Sequence, residues 1–97
     1  MFASRLSGAI LAKKSPLVIG LDPDTSKFPP GLRPSDAADT TEIADAIITF
    51  NKTIIDHTAD LVAAVKPQAA FYEEFGWAGM KALEETANYA RSKNLLV

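Results

Sequence analysis

Asp22 and Lys66 are the residues best placed for chemistry, because each closes a short apolar run. The first run is Leu17-Val18-Ile19-Gly20-Leu21, preceded by Pro16 and followed by Asp22-Pro23-Asp24. The second is Leu61-Val62-Ala63-Ala64-Val65, followed by Lys66 and Pro67. Short apolar runs with β-branched residues, bounded by prolines, read as strands buried on both faces of a sheet. In parallel α/β folds the C-terminal strand ends carry the binding and catalytic groups. A carboxylate and an ammonium on adjacent strand ends can pair with each other or hold one polar ligand between them. A lysine buried without a partner would be costly, so Lys66 needs a partner or an open cleft. Asp22 also has a plainer role open to it, capping the turn that it starts with Pro23. Gly20, inside the first run, reads as a point of close backbone approach.

Parallel strand ends side by side require a helix between the strands, and the sequence supplies one. Asp39-Thr40-Thr41-Glu42 is a helix start in which Asp39 accepts from first-turn N–H groups and Glu42 reaches back as in a capping box. Ile43, Ile47, Phe50 and Ile54 then form one apolar stripe facing a sheet, with Asn51 and Lys52 off it. The lone His57 falls near the helix C-terminus, where a solvated residue favoured by the helix dipole is expected and not a catalytic base. Strand, helix, strand predicts a βαβ unit with parallel strands and a right-handed crossover. The connection from Pro23 to Ala38 holds Pro29, Pro30, Gly31 and Pro34, which exclude a helix or an interior strand there. A loop of that length is either a surface excursion or part of a substrate pocket.

The pattern then repeats. Gln68 to Gly76 is aromatic and acidic, and a second helix is predicted from about Trp77 to Ser92, with Trp77, Met80, Leu83, Ala87 and Ala90 as its apolar stripe. Arg91 and Lys93 suit its C-terminal end, and Asn94 suits a left-handed cap. Leu95-Leu96-Val97 begins a third apolar strand. At the N-terminus, Phe2, Leu6 and Ile10 predict a short amphipathic helix packed on the fold. That segment has too short an apolar run for a signal peptide, and its lysines follow the run instead of preceding it. No segment approaches the roughly 20 apolar residues of a membrane span. The fold class expected is α/β: a parallel βαβαβ portion of a (β/α)₈ TIM barrel, with residues 1–97 forming the N-terminal part of a single domain that stops after the start of strand 3.

Composition narrows the function. With 47% hydrophobic residues, the 97-residue chain is not disordered as a whole. The net charge is −2 with no basic stripe, which argues against a nucleic-acid partner. The absence of cysteine excludes a disulfide framework, a thiol nucleophile and thiolate metal sites, and it fits a cytoplasmic protein.

Pro16 to Asp24, Phe50-Asn51-Lys52, Ile55-Asp56, Lys66-Pro67-Gln68, Phe71-Tyr72-Glu73 and Ala82-Leu83-Glu84-Glu85-Thr86, in that order, resemble the N-terminal part of orotidine 5′-phosphate decarboxylases of the slightly longer bacterial branch. The resemblance covers nearly the whole chain but only the first third or so of a family member. It implies a (β/α)₈ barrel, usually a homodimer with sites near the subunit interface. It implies loss of carbon dioxide from orotidine 5′-phosphate to give UMP in pyrimidine biosynthesis, without metal or organic cofactor. By position, Asp22 would hydrogen-bond the substrate ribose. Lys66 would join the alternating lysine and aspartate network, contacting ribose and the next carboxylate, and is the catalytic candidate. The family's Asp-x-Lys-x-x-Asp motif, which ends the third strand, is not in this sequence, so the 97 residues alone are expected to have no decarboxylase activity.

Two other readings stand beside this one. Another sugar-phosphate lyase or synthase on a (β/α)₈ barrel would also place Asp on strand one and Lys on strand two. A non-catalytic fragment would act by pairing its open strand edges, and a homo-oligomer burying the edges of Leu17–Asp22 and Leu95–Val97 is expected in either case. A small flavodoxin-like binding domain would need a glycine-rich phosphate loop that is absent.

Overall fold

A computed structural model describes all 97 residues. The order of elements is α1 (Phe2–Lys13), β1 (Val18–Leu21), a 3₁₀ turn (Thr25–Lys27), α2 (Thr40–Thr58), β2 (Ala64–Pro67), α3 (Ala70–Glu73) and α4 (Gly76–Ser92). β1 and β2 are parallel, with Val18 opposite Ala64, Gly20 opposite Lys66 and Leu21 opposite Pro67. Leu96 extends the sheet on the far side of β2. It bridges Ala64 in parallel, and the Val65 N–H donates to its carbonyl at 2.9 Å. The strand order is therefore β1, β2, then the Leu96 segment, as the repeating pattern requires.

Each helix boundary has a local cause. Asp39 starts α2 by accepting from the Glu42 N–H at 2.8 Å; the return half of the capping box is not formed. α4 ends in a Schellman motif. Asn94 takes φ 63°, the Leu95 N–H donates to the Ala90 carbonyl, and the Asn94 N–H donates to that of Arg91. α1 ends in the same way with Lys14 at φ 54°.

All the packed helices lie against one face of the sheet. Leu21 and Val65 point into that layer and form a cluster with Ile55, Val62, Ala90 and Leu95. A second cluster, of Phe28, Ala44, Ile47, Tyr72, Ala78 and Ala82, lies between the first half of α2, α3, α4 and the long loop. The other sheet face carries no helix, so β1 is not buried on both sides as expected: on that face Val18 is 49% exposed, although its β2 partner Ala64 is buried. The cause is that the Val18 and Lys66 side chains project, and the bare Gly20 Cα faces, where no helix covers them.

Three further expectations need correction. α1 forms but buries none of its residues. Its tie to the body is the Lys13 ammonium, which donates to the Ala59 carbonyl. The apolar stripe of α4 is rotated: Ala78, Gly79, Ala82, Thr86 and Ala90 face inward, while Trp77 is 78% exposed. Small residues let α4 approach α2 and α3 closely, Trp77 and Met80 are left outside, and Leu83 packs at the edge of the second cluster. Asn51 is fully buried, in line with Ala44, Ile47 and Ile55, instead of lying off the stripe.

Candidate functional site

Gly20 sits opposite Lys66, and register partners on parallel strands project to the same face. Asp22 lies two residues beyond Gly20 and returns to that face. Its carboxylate atoms lie 3.6–3.9 Å from where a Cβ on Gly20 would stand. Asp22 and Lys66 are thus brought together at the C-terminal ends of neighbouring strands, both exposed, on the uncovered side of the sheet. They do not form an ion pair with each other. The two ion pairs of the chain, Lys27 with Asp24 and Lys93 with Asp56, lie elsewhere, each at 3.7 Å. Lys66 has the open setting that its charge requires, and both groups keep their hydrogen-bonding capacity for a ligand.

Gly20 has a different role from the one expected. The three atoms nearest to an added Cβ all belong to the Asp22 carboxylate, at ordinary contact distance, so no backbone atom of another residue comes closer than that side chain. With no side chain of its own, the glycine leaves the sheet face open beside the Asp22 carboxylate and opposite Lys66.

The loop after Asp22 is folded against the body. Phe28 is buried and stacks on Phe50, with ring centroids 4.1 Å apart, and the Arg33 guanidinium donates twice to the Phe28 carbonyl, at 2.9 and 3.2 Å. Its first residues, Pro23 to Thr25, line a depression of about 230 Å³ with Phe71, Glu74 and Phe75, next to the strand ends. A larger depression, of about 610 Å³, is formed by Trp77, Met80, Lys81, Leu83 and Glu84 on α4 alone. It lies on the outer surface of one helix and gathers no polar groups from separate elements, so the strand ends are the better ligand site. No group of three or more His, Cys, Asp or Glu side chains stands close enough to hold a metal ion. His57 is exposed near the end of α2, its Nδ1 2.8 Å from the Thr53 carbonyl oxygen, as its position predicts.

Beneath the site lies a buried polar network not foreseen from the sequence. The Tyr72 hydroxyl donates to the carbonyl of Leu21, the residue before Asp22, at 2.8 Å. Asn51 Nδ2 donates to the Tyr72 hydroxyl at 3.0 Å and to Thr86 Oγ1 at 3.1 Å. Burial pushes the Tyr72 hydroxyl up to about 12; the Asn51 hydrogen bond opposes that rise and the nearby Asp22 carboxylate adds to it. One signal was available: Asn51 lies four residues after Ile47 and four before Ile55, the polar member of an apolar row.

No protein-family model matches the chain. Curated relatives do. It is 45% identical over 89 residues to the orotidine 5′-phosphate decarboxylase of Flavobacterium johnsoniae, covering 92% of this chain and 30% of the relative. It is 42% identical over 97 residues to that of Rhodopirellula baltica, covering 99% of this chain and 32% of the relative. A crystal structure from Streptomyces avermitilis, assigned as an orotidine 5′-phosphate decarboxylase, superimposes with a TM-score of 0.75 at 34% identity, covering 99% of this chain and 31% of that one. The chain spans about 30% of the length of the curated relatives that it matches. The two parallel strands, their helices and the Leu96 bridge are a portion of that (β/α)₈ barrel. In sequence and in backbone, the chain matches the N-terminal third of orotidine 5′-phosphate decarboxylases.

Proposed function

We propose that the chain supplies the first two strand ends of an orotidine 5′-phosphate decarboxylase site, with Asp22 holding the substrate ribose and Lys66 contacting the ribose and a following carboxylate. The observation that carries this reading is the pair of opposite charges on one open sheet face, close in register and not neutralising each other. In the reaction, the bond from ring carbon to carboxylate breaks, carbon dioxide leaves, and the electron pair stays on the ring until a proton takes the vacated position, giving UMP. A preorganised cation stabilises that developing charge, and Lys66 contributes to it. Asp22 accepts from ribose hydroxyls and so holds the ring in register with the ammonium. No metal or organic cofactor takes part in this scheme. The Asp-x-Lys-x-x-Asp array that completes the charge arrangement in the family is absent from these 97 residues. The same reading makes residues 1–97 the N-terminal part of one barrel domain in a cytoplasmic homo-oligomer.

The test mixes the purified chain with the separately produced remaining two-thirds of the Flavobacterium johnsoniae relative. UMP binding is followed, together with release of carbon dioxide from carboxyl-labelled orotidine 5′-phosphate. The chain alone stays at background and the mixture turns over. Asp22→Ala or Lys66→Ala lowers turnover on the order of 10²–10³-fold, the usual loss for one preorganised polar contact. A mixture that binds no UMP, or one whose activity survives both substitutions, sinks the assignment.

A further inference from the structure

Three hydrogen bonds tie four elements together directly under the strand end that carries Asp22. Tyr72 of α3, Asn51 of α2 and Thr86 of α4 show no exposed surface, and the chain of bonds ends on the Leu21 carbonyl of β1. Stability alone is a poor account of it. Asn51 Oδ1 is buried without a partner, so the cluster is incompletely satisfied, and an apolar set of similar volume would avoid that penalty. What the bonds do fix is geometry. Leu21 is joined by one peptide to Asp22, and Tyr72 is six residues after Lys66, on the short helix that follows β2. One hydroxyl thus ties the end of β1 to the short helix that follows β2, on the packed side of the sheet, while the charged side chains lie on the other side.

We propose that Tyr72, oriented by Asn51, is the positioning residue for the candidate ligand site: its hydroxyl clamps the end of β1 to α3 and sets the placement of the Asp22 carboxylate relative to Lys66. The functional importance of the clamp rests on the reading of Asp22 and Lys66 as ligand groups; its geometry does not.

The experiment uses the ¹⁵N,¹³C-labelled 97-residue chain, with Tyr72→Phe as the variant and ribose 5-phosphate as the probe. In the wild-type chain the Tyr72 hydroxyl proton is protected from solvent exchange and shows proximity to Leu21. In Tyr72→Phe, the Asp22 carboxyl and the Gly20 and Asp22 amide resonances shift or broaden, and affinity for ribose 5-phosphate falls about tenfold or more. Resonances of α1, outside the network, stay in place. A variant that is less stable but keeps the Asp22 resonances and the affinity overturns the proposal, because the hydroxyl then serves packing only. If the variant does not fold, the wild-type hydroxyl decides: free exchange with water overturns the clamp, and protection upholds it. Failure of the wild-type chain to bind ribose 5-phosphate counts against the functional reading, while the response of Asp22 to Tyr72→Phe still decides the clamp.

Discussion

Gly79→Ala is a substitution for which two physical effects oppose each other and the structure decides the sign. Gly79 lies inside α4, where replacing glycine by alanine ordinarily stabilises a helix by about 1 kcal/mol. Here an alanine Cβ would stand 1.8 Å from the Tyr72 carbonyl oxygen and 2.8 Å from its carbon. Both are backbone atoms of α3, so no side-chain rotation relieves the contact. Relief requires α3 and α4 to separate by on the order of 1.5 Å, opening the packing around Tyr72, Ala78 and Ala82. Overpacking of that kind typically costs about 1–3 kcal/mol, and a rigid backbone neighbour puts it at the upper end. The expected net result is a loss of about 1–2 kcal/mol after the propensity gain. Urea titration followed by far-ultraviolet circular dichroism measures it as a lower midpoint at unchanged slope. A Gly79→Ala chain more stable than wild type by about 1 kcal/mol would refute the reasoning, for it would mean that the α3–α4 contact is looser than the structure has it.

Phe28→Ala removes a buried ring stacked on Phe50 and is expected to cost about 3–5 kcal/mol, with faster proteolytic cleavage between Pro23 and Ala38 as the local readout. Asp39→Ala removes the acceptor for the Glu42 N–H and should cost about 1 kcal/mol, while Asp39→Asn stays near wild type in the same urea titration. Alkaline pH should destabilise the chain through Tyr72. Burial raises its hydroxyl in the fold from 10.0 to about 12, so its contribution is intact below pH 10 and is lost as pH rises from about 10 to 12. The loss is about 2–3 kcal/mol, seen as a falling denaturant midpoint that is flatter in Tyr72→Phe; equal slopes in the two chains would refute it.

Much of the architecture was legible because it depends on local chemistry. Apolar runs closed by prolines located both strands to within a few residues. Asp39 marked the start of α2 through its own side chain, and Asn94 marked the end of α4 through its tolerance of positive φ. The alternation of strand and helix predicted parallel pairing, and pairing alone brings Asp22 and Lys66 to one end of the sheet. What misled was the use of hydrophobicity as a proxy for burial. In α4 the large apolar residues Trp77 and Met80 lie outward and the small ones inward, because helices in close contact select for size as well as polarity. In α2 the polar Asn51 is interior because acceptors on two other helices satisfy its amide nitrogen, and those partners lie 21 and 35 residues away in sequence.

The sequence by itself determined the two strands, the three long helices, their order, and two opposite charges at the ends of adjacent strands. Each of these follows from interactions between near neighbours in the chain or from the two periodicities of regular backbone. The 3₁₀ turn and the short α3 were not read from the sequence. Only the tertiary structure decided that one sheet face is packed and the other open, that α1 buries nothing, and that Phe28 closes the long loop onto Phe50. It alone disclosed that Tyr72 holds the Leu21 carbonyl across 51 residues of sequence. Such contacts are set by how whole elements fit together in space, and no local pattern of residues encodes them.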